Sequence, residues 1–163
     1  MRAGLGLDFG GVICERADAG EEYSNGMPLE AINPVPDALG VIAEMNELLH
    51  GRVWIVSKAT RRTERMTREW LKRHRFFEMT GVSSERIFFV RERFRKRDIC
   101  RELGITHFVD DRPRTLEMLQ GFVKHLYLIG SDSRGCGITV TRDWLVLGRL
   151  LRQSILEGEE EER

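Results

Sequence analysis

A chain of 163 residues that is 41% hydrophobic and 32% charged has the composition of a soluble globular domain, not of a disordered or low-complexity polymer. Its apolar runs fall far short of the roughly 20 residues a bilayer span requires, and Asp8 interrupts the first of them, so neither a membrane helix nor a secretory leader is expected. Net charge is zero but unevenly placed: residues 52–101 hold 16 Lys and Arg against 6 Asp and Glu, and the remainder carries the compensating acid, much of it in the C-terminal EGEEEER.

Ala3–Asp8 reads as a short buried strand stopped by Gly10 and Gly11. Residues 15–35 are polar and rich in Gly, Asn and Pro, without a period, and are expected as a long loop. From Pro36 a helix is predicted with Leu39, Ile42, Ala43 and Leu49 on one face, proline being tolerated in a first turn. Val53–Ser57 is a second strand. Residues 62–74 form a charged helix with Glu64 and Arg68 at the favourable i,i+4 spacing. Arg86–Val90 is a third strand, 97–103 a short helix, and Ile105–Asp111 a fourth strand ending in two carboxylates. A helix at 113–120 and a strand at Val123–Ile129 follow. Thr141 is expected to cap a final helix with Trp144, Leu147, Leu151 and Ile155 on its apolar face. The domain is placed at 1–156, with 157–163 as a flexible acidic tail.

Strands alternating with helices imply parallel βαβ units and an α/β, doubly wound, Rossmann-like sheet with helices on both faces. In such sheets ligands bind beyond the carboxyl ends of the strands. Asp8, Ser57, Asp110 and Asp111 all stand at such ends, and Lys96 precedes a helix entering the same edge. Paired carboxylates suit a hard cation such as Mg²⁺. A hydroxyl and a lysine suit a phosphoryl group. A carboxylate facing that group can serve as nucleophile through an aspartyl phosphate.

LGLDFGGVI, then IVSKAT, then Lys96, then HFVDDRPRTL resemble the four ordered motifs of the haloacid dehalogenase (HAD) superfamily, over about Ala3 to Ile129. FVDDRPRTLEML and the earlier PVPDAL are more specifically similar to the deoxyribonucleotidase-like branch and to uncharacterised bacterial HAD-like proteins. The resemblance implies Asp8 as nucleophile and metal ligand, the Gly10 carbonyl and Asp111 as further Mg²⁺ ligands, and Asp110 as a water-mediated ligand or a group tuning its neighbour. It implies that Ser57 and Lys96 hold the phosphoryl oxygens. Phe9, Gly10, Lys58 and Ala59 would surround them with main chain. Lys58 and Arg112 directly follow motif residues, and each stands equally as a substrate contact or as a surface charge. The resemblance also implies a small phosphomonoester substrate, a nucleotide among the candidates, and no large cap domain. Only residues 15–35 remain as a small lid, and uncapped members tend to accept large substrates or to close the site by forming homo-oligomers.

One departure matters. HAD phosphatases usually read DxD, the second Asp carrying protons, whereas here the text is D-F-G. Gly10 keeps the backbone carbonyl and loses an acid–base group worth roughly 10²–10⁴-fold. Two other classes of function therefore stand beside the phosphatase: a noncatalytic phosphate- or nucleic-acid-binding module, and a phosphotransferase with a persistent acyl phosphate.

Simpler readings compete at several positions. The acidic pair follows the fourth strand, which disfavours a receiver domain. Gly4 and Gly6 enter the first strand instead of linking it to a helix, which disfavours a dinucleotide fingerprint. Arg93, Arg95 and Arg97 compete with Lys96 as the phosphate-binding cation. The basic middle of the chain is a solvated helix face sooner than a nucleic-acid surface, and His50, His74, His107 and His125 lack metal spacing. Cys14, Cys100 and Cys136 are widely spaced, which favours reduced thiols and a cytoplasmic location.

Overall fold

The computed structural model describes residues 2–16, 31–130 and 135–163. Six strands form one all-parallel sheet: β1 (Leu5–Leu7), β2 (Val53–Lys58), β3 (Ile87–Val90), β4 (His107–Asp110), β5 (His125–Ile129) and β6 (Ile138–Thr141), in the spatial order β3-β2-β1-β4-β5-β6. The helices are α1 (Ala38–Leu48), α2 (Arg61–Arg73), α3 (Phe76–Thr80), α4 (Lys96–Leu103), α5 (Pro113–Leu119) and α6 (Trp144–Glu161). The Rossmann-like α/β architecture expected from the alternation is therefore present.

Both faces of the sheet are covered, and the strands alternate strictly between them. Leu5, Leu7, Val53, Ile55, Val109, Tyr127 and Ile129 pack with residues of α1, α2, α3 and α6. Trp54, Val56, Phe108, Leu126 and Leu128 pack with Cys100 of α4 and with Leu116 and Leu119 of α5. This period of two sends Asp8, Lys58 and Asp110, each one or two residues beyond an inward-facing neighbour, toward the α4–α5 face.

Gly4 and Gly6 have a packing role. A Cβ on Gly6 would stand 2.6 Å from the Phe108 ring, and one on Gly4 would stand 2.9 Å from the Trp54 ring. The glycines admit two large side chains against a central strand.

Several boundaries differ from the sequence expectation. The final helix is capped by Asp143, whose side chain accepts a hydrogen bond from the Val146 N–H at 2.8 Å, and not by Thr141, which closes β6. That helix continues through most of the expected tail, to Glu161, because residues 157–161 contain only one glycine and otherwise good helix formers. The strand β6 and the short helix α3 were not expected; Phe76 on α3 is fully buried. The proposed lid over 15–35 lies mostly outside the described residues, which omit 17–30.

One buried indole fastens the turn after β1, and another the segment at 31–35. Trp144 Nε1 donates to the Val12 carbonyl at 2.8 Å, and Trp70 Nε1 donates to the Ile32 carbonyl at 2.8 Å. Within the turn, the Phe9 carbonyl accepts from the N–H groups of Val12, Ile13 and Cys14. The turn that follows Asp8 is thereby tied to α6.

Candidate functional site

The strand order reverses between β1 and β4, and a crevice opens at that point beyond the carboxyl edge. Leu7 lies opposite Ile55 of β2 and Val109 of β4, so Asp8 is level with Val56 and Asp110, and Ser57 is one residue further out. Three carboxylates from two adjacent strands meet here. Asp8, Asp110 and Asp111 each place an oxygen within 4.8 Å of the others.

Lys96 is the cation that joins two of them, Asp8 and Asp110. It is the first residue of α4, only 2% exposed, and its ammonium donates to Asp8 Oδ1 at 3.1 Å and to Asp110 Oδ2 at 3.1 Å. The ammonium also lies 5.5 Å from the Phe108 ring centroid, on the α4–α5 face. Burial works against its charge, but the Asp8 and Asp110 carboxylates outweigh burial and hold its pKa above the usual lysine range. Arg93, Arg95 and Arg97 are more exposed, and Arg95 pairs with Asp98 instead. The geometry thus selects Lys96 from its basic neighbours.

Asp110 is fully buried, and both of its oxygens are engaged, one by Lys96 and one by the Arg112 N–H at 2.9 Å. Burial first, and the Asp8 charge second, push it up to about 7.

Asp111 turns outward and is held at both oxygens by Arg16, with Nε 2.7 Å from Oδ2 and a second nitrogen 3.1 Å from Oδ1. Burial and the Asp8 charge raise its pKa, and Arg16 opposes them. Gly11 makes room for it. With φ at +76°, a Cβ there would stand 2.1 Å from Asp111 Oδ2 and 2.6 Å from its carboxyl carbon. Neither Arg16 nor Gly11 was singled out from sequence; for Gly11 the only signal was the doubled glycine after a strand-end acid.

The other expected residues divide. Ser57 is 7% exposed at the end of β2, at the edge where it was expected. Gly10 pairs with Cys14 in an isolated bridge, and the Gly11 N–H donates to the Cys14 carbonyl at 2.8 Å. The Phe9 ring is buried edge-on against Trp70, with centroids 5.2 Å apart, so only its main chain faces the site. Ala59 is a correction: its N–H donates to the Val90 carbonyl at 2.9 Å and its carbonyl accepts from Arg91, so its backbone extends the β2–β3 junction and does not cradle a phosphoryl group. Lys58 and Arg112 have exposed side chains at the same edge.

The donor set fits a hard divalent cation. All three side chains offer carboxylate oxygens, and among the described residues only Lys96 and Arg16 form ion pairs with them, two cations for three carboxyl groups. Cys14 and Cys100 are buried thiols, and burial pushes Cys100 up to about 12 despite nearby Lys96, so it is inert as a nucleophile. Among the described residues no helix is long and apolar enough to cross a membrane. No known family's sequence profile matches the chain, and no curated protein matches it.

Proposed function

We propose that this protein is a HAD-type, Mg²⁺-dependent phosphomonoesterase that works through a phosphorylated Asp8. The carrying observation is the buried Lys96 bridging Asp8 and Asp110 at the reversal point of the sheet, with Asp111 beside them. A purely structural ion pair would not need a third carboxylate, nor a glycine at 11 to admit it.

In this reading an Asp8 oxygen attacks the phosphorus, the ester P–O bond breaks, and the alcohol leaves with a proton drawn from solvent, because Gly10 offers none. Water then attacks the acyl phosphate, its proton passing to solvent, which restores the carboxylate and releases inorganic phosphate. Lys96 stays protonated and holds Asp8 toward the crevice while offsetting charge on the transferring group. Ser57 donates a hydrogen bond to a phosphoryl oxygen. Mg²⁺ would be held by Asp8, the Gly10 carbonyl and Asp111, and would supply charge neutralisation of the phosphoryl oxygens.

The absence of a proton carrier at position 10 favours one second reading, a phosphotransferase in which the acyl phosphate lasts long enough to meet an acceptor alcohol. Both readings share a first half-reaction. Purified protein with Mg²⁺ and an activated aryl phosphate is expected to release phosphate, with Asp8→Asn abolishing release and EDTA suppressing it. A folded protein inactive on a broad phosphomonoester panel would sink both.

A further inference from the structure

A cleft of about 540 Å³ opens at the same carboxyl edge of the sheet, where Lys58 ends β2, and is lined by Lys58, Glu92, Arg93, Phe94, Arg114 and Glu117. Its size is that of a small-molecule pocket. Three elements of the site supply its walls. Lys58 follows Ser57 on β2 and alternates to the same face as Asp8. Arg93 and Phe94 lie in the turn that delivers Lys96. Arg114 stands three residues after Asp111.

Several neighbouring cations are already held by carboxylates. Arg16 pairs with Asp111, Arg91 with Glu64, and Arg95 and Arg101 with Asp98. Lys58, Arg93 and Arg114 have no ion pair among the described residues, although Glu92 and Glu117 line the same cleft. Three uncommitted cations from three elements suit an anion larger than a single carboxylate. The two glutamates suit amino or hydroxyl donors. Phe94, 42% exposed, offers an aromatic surface, with the Arg95 guanidinium 5.2 Å from its ring. An anion, a planar ring and hydrogen-bond donors together describe a phosphorylated nucleoside. One phosphate already belongs at Asp8, so these cations take another.

We infer that this cleft binds a second phosphate, and that the substrate is a nucleotide phosphomonoester bearing a further phosphate group, whether as a free nucleoside bisphosphate or as the phosphorylated end of an oligonucleotide. This rests on the phosphatase reading for the word substrate, but the binding geometry is tested without turnover.

Asp8→Asn protein with Mg²⁺ is titrated with a nucleoside 5′-monophosphate, the corresponding 3′,5′-bisphosphate and a 5′-phosphorylated tetranucleotide. The bisphosphate is expected to bind at least roughly tenfold more tightly than the monophosphate, the size of one charge-assisted contact. Arg93→Gln with Arg114→Gln should erase that preference, while Arg101→Gln, outside the cleft, should keep it. Further tightening by the tetranucleotide, with a steep salt dependence, identifies a polynucleotide end; equal affinity identifies the free bisphosphate. Bisphosphate binding that is absent, within twofold of the monophosphate, or indifferent to the double variant overturns the subsite. Aryl phosphate hydrolysis by the unaltered protein is read separately. Its absence with the preference intact removes the phosphatase reading and leaves the subsite.

Discussion

The ammonium of Lys96 lies 3.1 Å from the Asp8 carboxylate across 88 residues of sequence, in a site nearly closed to solvent. The same ammonium serves Asp110, so one cation is shared by two buried carboxyl groups. Lys96→Met should therefore cost more than a surface pair would. Removing one partner of a buried ion pair typically costs about 3–5 kcal/mol, and adding Asp110→Asn should recover part of the loss. Urea unfolding of the single and double variants measures this. A loss under about 1 kcal/mol for Lys96→Met would show that the cluster is hydrated.

Gly10→Asp places a carboxyl group two residues beyond Asp8. If slow proton transfer limits turnover, the variant should hydrolyse an unactivated alkyl phosphate at least roughly tenfold faster, within the usual range for a general acid–base group. The gain should be smaller for an aryl phosphate, whose leaving group needs no acid. Steady-state kinetics with both substrates decides, and equal rates on both would mean that another group carries the proton.

Gly11→Ala drives a methyl group into Asp111 and forces alanine into a left-handed backbone conformation at φ +76°. The strain alone is of the order of 1–3 kcal/mol. Displacing Asp111 should also raise the Mg²⁺ concentration needed for half-maximal phosphate release. A metal titration that superimposes on that of the unaltered protein argues against Asp111 as a ligand.

Arg16→Ala should shift the same titration the other way. Arg16 holds both oxygens of Asp111, and its removal restores their capacity for a cation. The pair is partly exposed, so only a several-fold gain in Mg²⁺ affinity is expected. An unchanged titration would mean that Asp111 can bind metal with Arg16 in place.

His107, 3% exposed, bonds to Thr106 Oγ1 at 2.7 Å and Ser154 Oγ at 3.0 Å. Burial first, then His125 and Lys124, bring its pKa down to about 3. The unfolded chain therefore binds a proton at His107 below about 6.5 that the folded chain does not, and stability falls as pH drops through that range. Asp110 and Asp111, whose pKa values are raised, act in the opposite sense, so the difference between the unaltered protein and His107→Gln is the observable. From pH 7.5 to 5.5 the unaltered protein should lose about 1.4 kcal/mol more than the variant. Parallel stability curves would refute a buried neutral imidazole.

Much of the fold was legible because it rests on local signals. The buried strands β1, β2, β4 and β5 are short apolar runs stopped by Gly, Asp or Ser, and their alternation with helical periods leaves little choice beyond a parallel sheet. β6 escaped because ITVT at the edge is short, half-exposed and without a following stop signal. The cap of α6 was misplaced by two residues because Thr141 and Asp143 are both good capping residues, and the ladder to β5 claims the first.

The chain by itself determined which groups stand at strand ends, since a strand's length and its terminating residues are written in neighbouring positions. Asp8, Ser57, Asp110 and Asp111 follow from that. Tertiary structure alone decided which partners they meet. Lys96 stands apart from Arg93, Arg95 and Arg97 because the α4 face of the sheet is where both Asp8 and Asp110 point. Asp110 is committed to Lys96 and Asp111 to Arg16 because their directions diverge at the end of β4. Ala59 is lost to the site because β3 takes its N–H. Such pairings depend on strand parity and on packing between distant segments, and one-dimensional spacing does not encode them.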